Sequence, residues 1–167
     1  MRDLNGMKHP QDRRLHAYIM MQLDELERAK DNDSQTVLHW AAHGNLDVVQ
    51  WLVEHGKANV DATDNYGRTV LNWAARDNLN AVQWLVEHGK ANVDATDNKG
   101  QTVLLWAAQE NEWDVVKWLV EHGKANVEAT DNYGQTVLHW AARDNLNVVP
   151  NANKWTTFKL SRAAQCN

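Results

Sequence analysis

Cysteine, proline, phenylalanine and long apolar runs are almost missing from this chain. Its 167 residues hold one cysteine, Cys166, two prolines and one phenylalanine. A lone thiol builds neither a disulfide framework nor a thiolate metal site. A reducing compartment is its natural setting, so a cytoplasmic location is expected. No apolar stretch nears the ~20 residues of a membrane-spanning helix, and no membrane association is expected. The polar segment Met1–Leu15 lacks the apolar centre of a secretory signal. Catalytic signatures are missing too. No Gly-rich phosphate loop follows a strand-like run, and there is no Gly-x-Ser-x-Gly elbow. Cys166 lies in a tail, where no nucleophile–base pair is expected. The expectation is a non-enzymatic protein without catalytic residues, cofactor or metal.

Positive charge is scarce through most of the chain. Residues 31–150 carry eight Lys/Arg against seventeen Asp/Glu, within an overall formal charge of −5. Residues 1–30 come to +1, and residues 151–167 carry Lys154, Lys159 and Arg162 with no acid. An acidic middle repels phosphate, which argues against nucleic acid as a partner. It keeps the chain soluble and favours encounter with a basic protein surface.

What the chain has in excess is repetition. "DNDSQTVLHWAA", "DNYGRTVLNWAA", "DNKGQTVLLWAA" and "DNYGQTVLHWAA" begin at Asp31, Asp64, Asp97 and Asp131, offset by 33, 33 and 34 residues. "WLVEHGKANV" recurs unchanged from Trp51, Trp84 and Trp118. Seven of the nine tryptophans are thus two positions copied along the chain: Trp40, Trp73, Trp106 and Trp140, then Trp51, Trp84 and Trp118.

One unit reads as turn, helix, turn, helix, loop. Asp64-Asn65-Tyr66-Gly67 has turn chemistry, with Gly67 able to supply positive φ. Thr69 fits a helix cap. Val70, Leu71, Trp73, Ala74 and Ala75 make a short helix that is apolar on most sides and must be covered from several directions. Arg76-Asp77-Asn78 breaks it, with Asp or Asn suited to a left-handed cap. A second helix starts near Leu79, puts Val82, Leu85 and Val86 on one face, and ends at Gly89. Helices of about ten residues are marginal alone. They bury their apolar faces only by stacking on their copies, which makes a solenoid.

In period, element order and motif the units resemble ankyrin repeats. The family's Thr-Pro-Leu-His tetrapeptide appears as Thr36-Val37-Leu38-His39 and Thr136-Val137-Leu138-His139. Weaker forms are Thr69-Val70-Leu71-Asn72 and Thr102-Val103-Leu104-Leu105. The resemblance implies an all-α fold: an ankyrin-repeat solenoid of stacked helix-turn-helix units with short β-turn/hairpin fingers. It spans residues 31–150, divided as 31–63, 64–96, 97–130 and an incomplete 131–150. Valine replaces proline in every tetrapeptide. Three units are one residue short between their helices, unlike Gln109–Trp113. An extra residue follows each outer helix, as in Gly56-Lys57-Ala58-Asn59, so a slightly altered outer-helix register is expected.

His39 and His43 have i, i+4 spacing, but no Cys or acid is in phase to complete a metal site. The resemblance instead makes His39 and His139 structural, bonded to Thr36 and Thr136 or to a neighbouring turn. The tryptophan columns fall among apolar helical positions, so the core is their expected place, with an acceptor or a wet edge for each indole N–H. Trp113 replaces a leucine and is expected to be partly exposed.

The resemblance also implies a concave face, formed by turn tips and inner helices, that grips another protein. Carried over by position, its candidates are Asp33, Tyr66, Lys99 and Tyr133 at the tips, and Gln35, Arg68, Gln101 and Gln135 beside the threonines. At the helix ends they are His43, Arg76, Gln109 and Arg143, followed by Asp77, Glu110 and Asp144. These positions vary between units while the motif positions barely change, and Tyr and Arg suit interface anchors.

At the start, Leu15, Ile19, Leu23 and Leu26 share a helical face, so residues 12–29 are expected to cap the first unit within an N-terminal segment 1–30. At the other end Pro150 stops the pattern. Residues 151–167 form an irregular basic tail. Either Trp155, Phe158 and Leu160 fold back as a cap, or the array is a fragment or frame-altered end, the reading preferred here. The functional expectation is a protein-interaction module or scaffold, monomeric, with a protein partner of unknown identity. Two alternatives stand beside it. One is the targeting part of a larger enzyme, including an effector acting in host cytosol. The other is an engineered or duplicated repeat without a native partner.

Overall fold

The computed structural model describes Glu25 and residues 29–143. Seven helices follow in order: α1 Val37–Gly44, α2 Leu46–Glu54, α3 Val70–Ala74, α4 Leu79–Glu87, α5 Val103–Gln109, α6 Trp113–Glu121 and α7 Val137–Arg143. They alternate as inner (α1, α3, α5, α7) and outer (α2, α4, α6). Inner helix packs on inner helix and outer on outer along the chain. Among the described residues there is no β-sheet. The first three fingers each close through one antiparallel bridge: Lys30 with Thr36, Thr63 with Thr69, and Thr96 with Thr102. This is the expected stacked solenoid. The proposed N-terminal capping helix, apart from the helical Glu25, and everything after Arg143 lie outside the described residues.

Short helices need good ends, and the threonines supply them. Thr36, Thr69 and Thr102 are extended residues at the N-caps of α1, α3 and α5. Three residues on, His39 Nδ1 accepts the Thr36 N–H at 3.1 Å and lies 2.8 Å from its Oγ1. Asn72 Oδ1 does the same for Thr69, at 2.9 Å from both N and Oγ1. His139 serves Thr136 likewise, at 3.0 and 2.9 Å. Leucine cannot, and at α5 the Thr102 hydroxyl instead accepts the Leu105 N–H at 3.4 Å. Histidine and asparagine are therefore equivalent here as acceptors facing an orphan N–H.

The missing residue between helices is real and has a simple local solution. In the first two units Asn45 and Asn78, both at φ −134°, cap the outer helix by accepting Val48 N–H at 3.2 Å and Ala81 N–H at 3.0 Å. Neither is left-handed, which corrects the expected left-handed cap at Arg76–Asn78. Among the described connections only the longer third one has it, at Asn111 with φ 65°. Val49 and Leu52, Val82 and Leu85, and Val116 and Leu119 remain the buried outer-helix pairs. The length difference is thus absorbed in the connection, not in helix register.

The extra residue after each outer helix is absorbed equally locally. Gly56 and Ala58 donate to the carbonyls of Trp51 and Leu52, at 3.4 and 3.0 Å. Between them Lys57 is left-handed, as are Lys90 and Lys124, with φ 59°, 59° and 57°. The preceding glycines serve a different need. A Cβ on Gly89 would sit 2.8 Å from the Leu85 carbonyl oxygen. A left-handed lysine costs roughly 1–2 kcal/mol that glycine avoids, partly offset by glycine's greater chain entropy. Lys90→Gly is therefore expected to raise stability by about 0.5–1 kcal/mol, read as a higher urea midpoint at unchanged slope.

The core is aliphatic. Leu38, Leu71 and Leu104 from the inner helices, with Val49, Val82, Val116, Leu85 and Leu119 from the outer ones, are all within 2% of full burial. The tryptophans lie mostly at the margin of this core, which corrects the expectation from the sequence in part: Trp140 belongs to the core, and Trp73, Trp84 and Trp118 are packed against it. Trp40 is 59% and Trp51 41% exposed, Trp73, Trp84, Trp106 and Trp118 are half-buried, and only Trp140 is buried. Stacked units lie close enough for Leu, Val and Ala to fill the seam. The larger indoles lie at its margins.

Candidate protein-binding face

Each finger is organised by its first aspartate. Asp64 Oδ1 accepts the N–H groups of Tyr66 and Arg68, both at 2.9 Å. Asp31, Asp97 and Asp131 repeat this geometry in their own fingers. Asp64 Oδ2 accepts the Arg68 guanidinium at 2.8 Å and the Trp73 indole N–H at 3.2 Å. Trp40 donates in the same way to Asp31 Oδ2 at 3.2 Å. Partial desolvation pushes the Asp31 carboxyl up, but the Gln35 and Asp33 N–H groups and the Trp40 indole outweigh it and hold the group below its ordinary range. The aspartates sit nine residues before the tryptophans in all four units. In the first two units that spacing was the available signal for where the indole N–H goes, whereas the buried Trp140 Nε1, at the same spacing, has no hydrogen-bond partner.

Asparagines then join finger to finger. The N–H groups of Asn65, Asn98 and Asn132 donate to the preceding tips at Asp33, Tyr66 and Lys99, at 2.9, 3.0 and 2.9 Å. Their carboxamides donate to the carbonyls of Asn32, Asn65 and Asn98 at 3.1, 3.0 and 3.2 Å. The tips therefore form one ordered edge instead of four independent loops.

On this edge the aromatic residues are displayed. Tyr66 is 57% and Tyr133 79% exposed. The Arg68 guanidinium lies between the Tyr66 and Trp73 rings, 4.8 Å from each centroid, and is held in place by Asp64. Trp40 and Trp73 meet at 5.8 Å and 47°. With His43, Gly44, Asn45 and Arg76 they line an open groove of about 530 Å³. His43 Nε2 approaches Asp77 Oδ2 at 3.3 Å, and the Arg76 Nε is 4.0 Å from the same carboxylate. Burial raises the Glu112 carboxyl, and the like charges of Asp77, Asp114 and Glu110 raise it further.

The sequence candidates divide on this face. Asp33, His43, Tyr66, Arg76, Asp77, Lys99, Glu110, Tyr133 and Arg143 are exposed, the last with its guanidinium over Trp140. Arg68, Gln109 and Gln135 are half-buried. Gln35 and Gln101, expected at the surface, are 6% and 3% exposed. Their backbone N–H groups are pulled in by the finger aspartate, and the Gln101 side chain turns inward to donate to Gln109 Oε1 at 2.7 Å. Asp144 lies outside the described residues. Trp40, assigned to the core from its periodicity, belongs to the face instead, while Trp73 is half-buried against the core with its indole N–H on Asp64.

On the opposite side the second tryptophan column pairs with the recurrent histidines. Trp51–His55, Trp84–His88 and Trp118–His122 stack at 5.9, 5.7 and 5.9 Å with 14–18° between planes. These stacks account for the conserved spacing of tryptophan and histidine inside "WLVEHG" without invoking a ligand.

His39 carries a pH dependence. Burial disfavours its imidazolium and lowers its pKa, against the opposing pull of the Arg68 carbonyl and the Asp64 charge. A histidine depressed in the folded state contributes stability above the unfolded value near 6.5, and that stability is lost as pH falls from there through the folded pKa. Protonation at Nδ1 would also remove the acceptor for the Thr36 N–H. Asparagine already fills this role in the second unit, so His39→Asn is expected to keep the cap and flatten the loss of stability below pH 6.5. Urea midpoints measured from pH 5 to 8 check it; an unchanged slope would count against a buried neutral His39.

A family model described as ankyrin repeats (3 copies) matches residues 15–97 and 90–150. No curated protein matches the chain.

Proposed function

The chain belongs to the ankyrin-repeat family, and from that premise we propose that it is a non-enzymatic module that grips a partner protein with its fingers and inner helices. The carrying observation is the exposure of Trp40, Tyr66 and Tyr133 on that one side, while aliphatic residues fill the core. Large aromatics at the surface are costly unless something covers them, and they anchor interfaces well because few rotors must be frozen. The Asn ladder and the Asp64–Arg68 clamp hold the face ready, which lowers the ordering cost of binding. Asp77, Glu110 and the acidic balance of residues 31–150 favour a partner with a basic surface. Among the described residues no helix is long and apolar enough to cross a membrane, and we place the protein in the cytoplasm or, for an effector, in host cytosol.

The test is affinity capture followed by titration of the captured partner. Trp40→Ala, Arg76→Ala and Tyr133→Ala are each expected to weaken binding roughly tenfold or more at unchanged melting temperature. Gln101→Ala should weaken binding only as far as it disturbs folding. A partner held equally well by all three face variants, or no saturable partner at all, would refute the reading.

A further inference from the structure

The second and third fingers share a backbone but not the use of their carboxylates. Gly67 and Gly100 sit at φ 75° and 74°, and Thr63–Thr69 and Thr96–Thr102 form the same bridge. Asp97 Oδ1 accepts the Lys99 and Gln101 N–H groups at 2.8 and 2.9 Å, as Asp64 Oδ1 does for Tyr66 and Arg68. The other oxygens differ. Asp64 Oδ2 holds the Arg68 guanidinium at 2.8 Å and the Trp73 indole N–H at 3.2 Å, and the Asp64 side chain is fully covered. The same guanidinium lies 4.8 Å from the Trp73 ring centroid. In the third finger Gln101 stands in place of Arg68, and its carboxamide turns away to Gln109. Among the described residues no donor reaches Asp97 Oδ2, no cation lies over the Trp106 ring, and no acceptor meets its indole N–H. Asp97 and Trp106 are both half-buried. In the fourth unit Arg143 lies over Trp140. Trp106 is therefore bare in mid-array, with described units on both sides of it, and its openness is not that of an end.

We propose that Asp97 and Trp106 together receive an arginine side chain of the partner protein. The guanidinium would lie on the Trp106 ring and donate to Asp97 Oδ2, making from outside the clasp that Arg68 makes from within. Two features choose this occupant. One unit earlier the chain fills the same carboxylate–indole pair with its own guanidinium. The site is also anionic, because Lys99 makes no ion pair with Asp97 and residues 31–150 are acidic overall. Arginine suits it better than lysine: its planar fork can bond a carboxylate while its face rests on an indole. The contact rests on the partner-binding reading and gives the basic partner a definite side chain.

The indole N–H resonances of the isotope-labelled full chain, titrated with acetyl-Gly-Arg-Gly-amide and with its lysine counterpart, test it. Trp106→Phe identifies the Trp106 signal. That signal is expected to shift saturably with the arginine peptide, at roughly millimolar affinity, and about fivefold or more weakly with the lysine peptide. Asp97→Asn keeps the Oδ1 acceptor that shapes the finger and removes one carboxylate oxygen. It is expected to weaken the arginine peptide by about fivefold or more. Gln101→Arg supplies the guanidinium from within, as in the second finger, and should abolish the shift. Circular dichroism verifies that both variants fold; should Gln101→Arg fail to, Asp97→Asn decides alone. No saturable shift at Trp106, an equal response to the lysine peptide, or a folded variant that responds like wild type would overturn the proposal. The captured partner separates this contact from the face as a whole. If Trp40→Ala, Arg76→Ala and Tyr133→Ala weaken its binding while Asp97→Asn does not, the arginine contact falls and the face stands; if none of the four weakens it, both fall.

Discussion

Gly67→Ala is expected to destabilise the protein by about 3 kcal/mol or more, and Gly134→Ala by only about 1–2 kcal/mol. The two glycines occupy the same finger position with nearly the same backbone, φ 75° and 74°. Both changes therefore carry the left-handed penalty of a Cβ. Only Gly67 has a following finger pressed against it. An added Cβ there would lie 2.6 Å from Asn98 Oδ1 and 2.8 Å from the Asn98 backbone nitrogen, whereas at Gly134 nothing lies within 4 Å. The side-chain amide could rotate, but the Asn98 N–H donates to Tyr66 at 3.0 Å and cannot retreat without breaking the ladder. The difference between the two variants thus isolates the close approach of neighbouring fingers. Urea unfolding of both proteins measures it. Equal losses would mean that the fingers do not hold each other.

The second large effect contrasts two leucines of one motif. Leu104→Ala is expected to cost about 3–4 kcal/mol, and Leu138→Ala less than about 0.5 kcal/mol. Leu104 is 1% exposed, in the seam where α5 meets α7. Deleting its side chain leaves a cavity between two units and weakens both the unit and its junction, and in a stacked array stability is a sum of such terms. Leu138 is 48% exposed, and among the described residues no further inner helix follows α7. The same melts that score the glycine pair score this one. A Leu138→Ala loss as large as that of Leu104→Ala would show that burial does not set the difference between the two leucines.

Part of the candidate face was legible in the sequence. The tip and helix-end positions stood out because they vary while their surroundings are copied, and nine of the fifteen candidates are exposed. Gln35 and Gln101 were misread because variation between units was equated with exposure. The Gln101 side chain turns in to donate to Gln109 Oε1, a contact that comparison of the units does not reveal. Trp40 was missed for the opposite reason. Apolar character at helical spacing places a residue on the packed side of a helix, but a short helix covered from several directions has few truly interior positions. The smaller Leu, Val and Ala occupy them.

The sequence alone determined the repeat, the helix pairs and most of their ends, because these depend on local chemistry: threonine before an apolar run, a donor or acceptor three residues on, glycine in a tight turn. Tertiary structure decided what identical residues become in different places. His39 is sealed while His139 is open, and Leu104 is buried while Leu138 is not. The physical reason is that burial belongs to a pair of surfaces. A repeated motif specifies one surface many times over, and only the neighbour in the stack supplies the other.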